Sequence, residues 1–459
     1  MTAGDTLSID GLRRSLEGIL PATLATCDIA GTPNVSLISQ VHYVDERHVA
    51  LSYQFFNKTR RNMLETRRAT VEVIDPLTNA QHRLSLEFLE TRDCGPIFES
   101  MRAKLAGIAS HSGMEGVFRL LGADIFRVSA IEHVPSVTLM EPSRPRDLLG
   151  AVRKTCARLK ACGDLNDLLD SALDCLVEHF AIDHCLILML DPDADRFYTL
   201  ASRGYPCSGT GSEIMVGEGI IGVAARERTP IRINHMTADY RYGAAIREAV
   251  IRTGIEWQTA TEIPFPGLEA PSSQVALPIE AGANVFGVLF VESEVAMRYW
   301  HDDEDALAVI ADFLGNCIAS VSAEGPEAEA VEEPPPSSAP ARPLAVRHFG
   351  RDDSVFLGHD YLIKGVAGAI LWRLLREHVA TGRSVFNTRE LRLDPSLRLP
   401  QHAENLDARL VLLRKRLEER AAPIRLEKCG RGQLRLCIAG SITLECAGDG
   451  ALSTDLAKT

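Results

Sequence analysis

Residues 323–343, "AEGPEAEAVEEPPPSSAPARP", are a stretch in which Pro, Ala and Glu crowd out large apolar side chains. Such a segment cannot bury enough apolar surface to offset the entropy of ordering it, so it reads as an extended or disordered linker. This divides the chain into separately folded parts. At 459 residues the chain is about three typical domain lengths, which fits such a division. A softer boundary lies near "VPSVTLMEPSRPRD", residues 134–147, where strand-like alternation gives way to helical periodicity. The expected units are 1–140, 147–322 and 344–446, with no internal repeat.

Hydrophobic residues make up 46% and charged residues 24% of the chain, so most of it should be globular. The N-terminus lacks the basic start and unbroken apolar run of a secretory signal. "CLILML" and "VFGVLFV" are far shorter than the roughly 20 residues that cross a bilayer. A soluble, cytoplasmic protein with no membrane partner is expected. The eleven cysteines never form C-x-x-C, which argues against a zinc site or a disulfide framework and for reduced core thiols. Cys429, Cys437 and Cys446, close together near the C-terminus, leave thiol redox sensing as an alternative. No phosphate-loop, H-E-x-x-H or G-x-S-x-G motif occurs. "GEGIIG", Gly217 to Gly222, does not sit in a strand-turn-helix unit with an acidic residue at the end of the next strand, as a dinucleotide site requires, and reads as the turn preceding a helix; "HDDED", 301–305, is a favourable acidic helix start. No catalytic residue and no metal ligand is assigned.

The first unit reads as mostly strands. "PATLATCDIAGTPNVSLISQVHYVDERHVALSYQ" holds three β-rich runs split by turn signals, and His82, Leu84, Leu86 and Phe88 alternate onto one face. A meander closing into a small barrel is expected. The second unit reads as helix, two strands, a Gly-rich turn, helices, two strands and a closing helix, an α+β sheet flanked by helices. In the third, "HDYLIKGVAGAILWRLLREHVATG" reads as a long amphipathic helix, and "NTRELRLD" as a helix with an Asn cap and Glu390 in capping-box position. A basic helix, "NLDARLVLLRKRLEER", and a hairpin turning at Gly430-Arg431-Gly432 follow.

In the basic helix Leu406, Leu410, Leu413 and Leu417 form one stripe, leaving Arg409, Lys415, Arg416 and Arg420 mainly on the opposite, exposed side. From Arg347 to Cys446 there are 18 Lys plus Arg against 12 Asp plus Glu, a local charge of +6 in a chain whose net charge is -13. A cationic helix followed by a short hairpin with a basic tip suits a helix in the major groove of double-stranded DNA with phosphate contacts beside it. The candidate DNA contacts are Arg409, Arg414, Lys415, Arg416, Arg420, Lys428 and Arg431. The alternative is that these charges only solvate a helix face, or that the unit docks on protein.

The order of elements, with Leu406-Asp407, Leu413-Arg414-Lys415-Arg416-Leu417 and the Gly-x-Gly turn, resembles the winged-helix effector domain of OmpR-type transcription factors. Two positions depart from that pattern: Leu412 where a base usually stands, and Gln433 where an aromatic usually follows the wing. The second unit resembles a GAF domain over its whole length. That resemblance implies a small-molecule pocket under a variable lid, here carrying His235, Tyr240, Arg241, Tyr242 and Trp257, and signalling within a homodimer. Equally, those side chains only cap the sheet.

"PNVSLISQVHYVDERHVALSYQFFNKTRRNMLETRRATVEVIDP" resembles the FMN-binding split barrel of the pyridoxamine 5'-phosphate oxidase-like superfamily. The resemblance implies that Ser36, Ser39, Gln40, Tyr53 and Gln54 line a flavin and that Asn57, Lys58, Thr59, Arg61 and Asn62 hold its phosphate at a helix N-terminus. Haem or deazaflavin is the alternative occupant. Ser36 stands where the oxidases often place an arginine, and their C-terminal Arg-rich segment is missing, so oxidation of pyridoxamine phosphate is not implied. The expectation is a multidomain ligand- or redox-sensing transcription regulator: β split barrel, α+β GAF domain, C-terminal winged helix. The alternative is a flavin-dependent oxidoreductase regulated by its later domains.

Overall fold

A computed structural model of the chain describes residues 8–54, 57–111, 120–141, 146–192, 194–234, 263–323, 344–397, 399, 404–430 and 432–447. Almost all of the expected linker, 324–343, lies outside the described residues.

The first unit contains β1 (Ala22–Cys27), β2 (Pro33–Ile38), β3 (Val41–Tyr43), β4 (His48–Tyr53), α1 (Lys58–Thr66), β5 (Arg68–Ile74), β6 (Gln81–Arg92), α2 (Pro96–His111) and β7 (Gly122–Val134). Its antiparallel sheet has the order β2-β1-β5-β6-β7-β4-β3. Irregularities between Ser85 and Leu86 and between Phe88 and Glu90 bend the long β6–β7 ribbon. Among the described residues no ladder joins β2 to β3, so the expected closed ring is an open, curled sheet. His82, Leu84, Leu86 and Phe88 are all buried, as their alternation requires.

The second unit contains α3 (Leu148–Lys160), α4 (Leu165–Phe180), β8 (His184–Asp191), β9 (Arg196–Arg203), β10 (Glu213–Met215), α5 (Gly219–Glu227), β11 (Ile231–Ile233), β12 (Ser273–Ala281), β13 (Asn284–Ser293) and α6 (His301–Ala323). The sheet order is β10-β9-β8-β13-β12-β11. Asp164 starts α4 by accepting the Asp167 amide at 2.9 Å, and Leu165, Leu168, Leu169, Ala172, Leu173 and Leu176 put its apolar stripe into the core. Helices α3, α4 and α6 cover one face of the sheet, and α5 packs on the other. Helix α6 comes so close to β12 that a Cβ at Gly315 would sit 2.1 Å from the Glu280 carbonyl oxygen, a position only glycine fills.

The third unit contains β14 (Leu344–Phe349), β15 (Ser354–Leu357), β16 (Asp360–Ile363), α7 (Gly365–Thr381), β17 (Val385–Asn387), α8 (Thr388–Leu393), α9 (Glu404–Glu419), β18 (Ile424–Gly430), β19 (Gln433–Ile438) and β20 (Ile442–Ala447). The sheets are β16-β15-β14-β20 and β17-β19-β18. The long helix expected from His359 begins only at Gly365, because Tyr361, Leu362 and Ile363 enter the sheet core behind the Gly358 turn. Asn387 does cap α8, accepting the Arg389 amide at 2.8 Å, but Glu390 closes no capping box and pairs with Arg383 at 2.6 Å. The core-thiol expectation holds only for Cys175 and Cys185; Cys27, Cys94, Cys207 and Cys446 are exposed, and the other five half-buried. Among the described residues no helix is long and apolar enough to cross a membrane.

Two joints hold the units together. At the first, α2 packs on α5 and β11, and Glu17 accepts two hydrogen bonds from Arg232, at 2.8 and 2.9 Å. Both side chains are about 3% exposed. Burial alone would raise the Glu17 carboxyl, but the charges of Arg232 and Lys104 outweigh it and hold it at about 2. At the second joint, α9 packs against α4, α6 and β9.

Replacing Glu17 with Gln leaves Arg232 with Glu304 alone and should cost about 3 kcal/mol in denaturant unfolding, the scale for breaking a buried pair. In the unaltered chain the contribution of Glu17 is complete above its ordinary carboxylate range. It should be lost as pH falls from there towards about 2, a slope that the Gln variant lacks.

Candidate functional site

The first candidate site is a cavity of about 260 Å³ between β2, the end of β4 and the start of α1. Ser36, Ser39, Tyr53, Gln54, Asn57 and Thr59 line it. Asn57 begins α1 by accepting the Arg60 amide at 3.0 Å, which fixes the helix start at the cavity wall. Thr59 donates to Ser36 at 3.1 Å and Gln54 to Ser39 at 2.7 Å. Four other expected residues do not reach the cavity. Gln40 and Asn62 are buried, each 1% exposed, and Asn62 donates to Thr26 at 3.3 Å. Lys58 and Arg61 face outward on the solvent side of α1.

The cation in the wall is instead Arg60. Its guanidinium lies 3.6 Å from the Tyr53 ring centroid and pairs at 3.2 Å with Asp124, which is 2% exposed. The sequence "KTRRN" offers two adjacent arginines, and the helical phase of α1 decides between them. The fit to a flavin is divided. Gln54 Oε1 is buried without a hydrogen-bond partner, an acceptor for a ring N–H. The charge a phosphate would need is already neutralised by Asp124.

The expected lid residues of the second unit, His235, Tyr240, Arg241, Tyr242 and Trp257, lie outside the described residues. The described part of that sheet face holds a polar cluster missed in the sequence. Glu292, 1% exposed, accepts the Leu268 amide at 2.7 Å and the Gln274 amide at 3.0 Å. Burial pushes its carboxyl up, and burial together with Glu292 pushes the Tyr205 phenol well above its ordinary value. Gln274 Oε1 has no partner. The signal was available: Gln274 and Glu292 interrupt apolar strands at positions paired across β12 and β13.

The third candidate surface is α9. Leu406, Leu410, Leu413 and Leu417 are buried as expected, yet so are Val411 and Leu412, which leaves the helix with two apolar sides. The expectation that the bases on its far side face solvent holds for Arg420 and is overturned for Arg409, Lys415 and Arg416. Arg409 and Arg416 are 6% and 5% exposed, Arg409 because it meets Asp191 and Tyr198 of the second unit and Arg416 because it turns to partners in its own unit. Arg409 pairs with Asp191 and lies 4.2 Å from the Tyr198 ring centroid. Lys415 donates to Asp170 at 2.9 Å. Arg416 donates to the Leu362 carbonyl and to Glu419, each at 3.0 Å.

Lys428 on β18 reaches Asp164 at 3.4 Å. Arg414 is half-buried and Arg420 exposed, while Arg431 lies outside the described residues. Leu412, unusual as an apolar residue at that point, packs beside Gly211 in the loop between β9 and β10. Truncating Arg409 to Ala should therefore cost about 3 kcal/mol in denaturant melts, because Asp191 loses its partner. Truncating Arg420 should change stability by less than about 0.5 kcal/mol.

A family profile described as the GAF domain matches residues 162–319. No curated protein matches the chain in sequence. Among solved structures, the GAF domain of a phosphoenolpyruvate-protein phosphotransferase from Acinetobacter is 22% identical over 39% of this chain and 96% of that one, with a TM-score of 0.31. An FMN-binding protein from Syntrophomonas wolfei is 19% identical over 28% of this chain and 86% of that one, TM-score 0.24. HupZ of Group A Streptococcus is 20% identical over 28% of this chain and 97% of that one, TM-score 0.23. The middle unit, with its six-stranded sheet between α5 and the α3, α4 and α6 layer, is a GAF domain.

Proposed function

We propose that the protein is a ligand-controlled DNA-binding regulator in which the GAF domain holds the DNA-contacting helix α9 in a closed arrangement. The observation that carries this reading is the pairing of Arg409, Lys415 and Lys428 with Asp191, Asp170 and Asp164 of the GAF domain. These carboxylates take the places that phosphate oxygens would take on a duplex. A duplex reaches those bases only when the second joint opens. The half-exposed Lys428 pair contributes little, at most about 1 kcal/mol, whereas the buried Arg409 pair and the apolar contact of Leu412 are what must be broken. A ligand in the GAF pocket controls DNA binding by favouring either the closed or the open arrangement.

The cavity beside α1 is the second input in this reading. Gln54, Ser39 and Tyr53 suit a planar ring that carries an N–H, and FMN is the first candidate. Arg60 would have to exchange Asp124 for its phosphate. A flavin supplies redox chemistry when bound, while the residues here bind and orient it. Purified protein should absorb in the flavin bands, and Gln54→Ala should reduce flavin retention; colourless protein that takes up no added FMN removes this input.

DNA binding is tested on the full chain by fluorescence anisotropy with duplex oligonucleotides at low salt. The double variant Asp164→Lys, Asp170→Lys should bind about tenfold more tightly than the unaltered protein, and adding Lys415→Glu should abolish the gain. The burial of Arg409 and Arg416 favours a second reading, an adaptor whose third unit docks on protein. That reading replaces the first if none of these proteins binds duplex.

A further inference from the structure

The second joint does not close completely. Between the start of α4 and the face formed by α9, β18 and β19 lies a cavity of about 160 Å³. Leu165 and Val321 of the GAF domain and Leu410, Val411, Leu426 and Leu434 of the third unit give it apolar walls. Its polar atoms are unevenly satisfied. Arg392 donates to Asp407 at 2.9 Å, but its Nε is buried without a partner. Asn166, on the GAF wall, has its Oδ1 buried without a partner. Arg414 makes no hydrogen bond among the described residues, and its nearest carboxylate, Glu418, is 4.0 Å away.

The charges of the lining can be counted. Lys428 faces Asp164 and Arg392 faces Asp407, so among the described residues of the lining Arg414 is the cation left over, with only the 4.0 Å approach of Glu418 from outside it. An apolar enclosure with convergent polar groups is the ordinary form of a small-molecule site, and a surplus guanidinium in it calls for an anion. We infer that this cavity binds a small organic anion with a flat apolar body and a single carboxylate. The carboxylate meets Arg414 and the Nε of Arg392, and the body lies against Leu165, Leu410 and Val411.

The site differs from both sensor cavities and exists only while the GAF domain and the third unit are docked. A ligand that touches both walls therefore stabilises the docked arrangement, and the docked arrangement strengthens ligand binding by the same factor.

The test is calorimetric titration of the full chain with salicylate, an aromatic ring with one carboxylate, and with salicylamide as its uncharged analogue. No nucleic acid is present, so the outcome is independent of whether α9 contacts DNA. Salicylate should bind saturably with Kd below about 1 mM, and salicylamide at least tenfold more weakly. Arg414→Met keeps the apolar stem and removes the charge. Asn166→Asp, on the opposite wall, adds a repelling charge at a helix start that tolerates it.

Each variant should weaken salicylate at least tenfold while circular dichroism and the melting temperature are retained. The inference is overturned if salicylate shows no saturable binding up to about 10 mM, or if Arg414→Met binds as well as the unaltered protein. It is overturned equally if Asn166→Asp has no effect while Arg414→Met does, because the pocket would then belong to the third unit alone.

Discussion

Every other feature of the second joint depends on the burial of Arg409 between Asp191 and the Tyr198 ring. A guanidinium that is 6% exposed is tolerable only where a carboxylate and an aromatic face replace its water. Once that exchange is made, α9 is committed in two directions. Leu406, Leu413 and Leu417 are buried, and the helix packs on α7 and β18 of its own unit and, through Leu412, against a GAF loop. The helix thus transmits position between two units instead of simply decorating one of them. The side of a helix that a free domain would show to solvent is here a contact surface.

The two joints differ in physical character. Glu17 and Arg232 at the first are nearly inaccessible and tied by two good hydrogen bonds, so separating the units would expose a pair with much desolvation to reverse. At the second, Lys415–Asp170 and Lys428–Asp164 lie nearer to solvent, but Arg409–Asp191 is buried and one continuous apolar core runs from the GAF domain into the third unit; a cavity interrupts the packing at each joint. Hydrated pairs cost little to part, so what opposes opening there is the Arg409 pair and the shared apolar core. The first joint is thus held mainly by a buried ion pair, and the second by an apolar core shared between the two units with ion pairs around it.

The elements were legible wherever a local rule governed them. Asn57 and Asn387 announced two helix starts, and each caps its helix. The leucine stripe of α9 and the alternation of β6 follow from periods of 3.6 and 2. The β14–β16 sheet was missed because strands of four to six residues, read beside a strongly helical segment, merge with it. The cavity by α1 was legible in part: six of the ten expected residues line it, and where the sequence pointed to Arg61 the turn of the helix selects Arg60.

By itself the sequence determined which side chains are apolar on each element, and that positive charge gathers towards the C-terminal end. These are properties of composition and local periodicity, settled within a few turns of chain. Whether a charge faces water was decided only by the tertiary structure. Arg409 and Asp191 are 218 positions apart, and no local pattern states that one will cover the other. A basic helix reads the same when it is free and when it is held. The partner that neutralises it comes from a distant part of the fold, because burying two apolar sides of α9 requires a second surface.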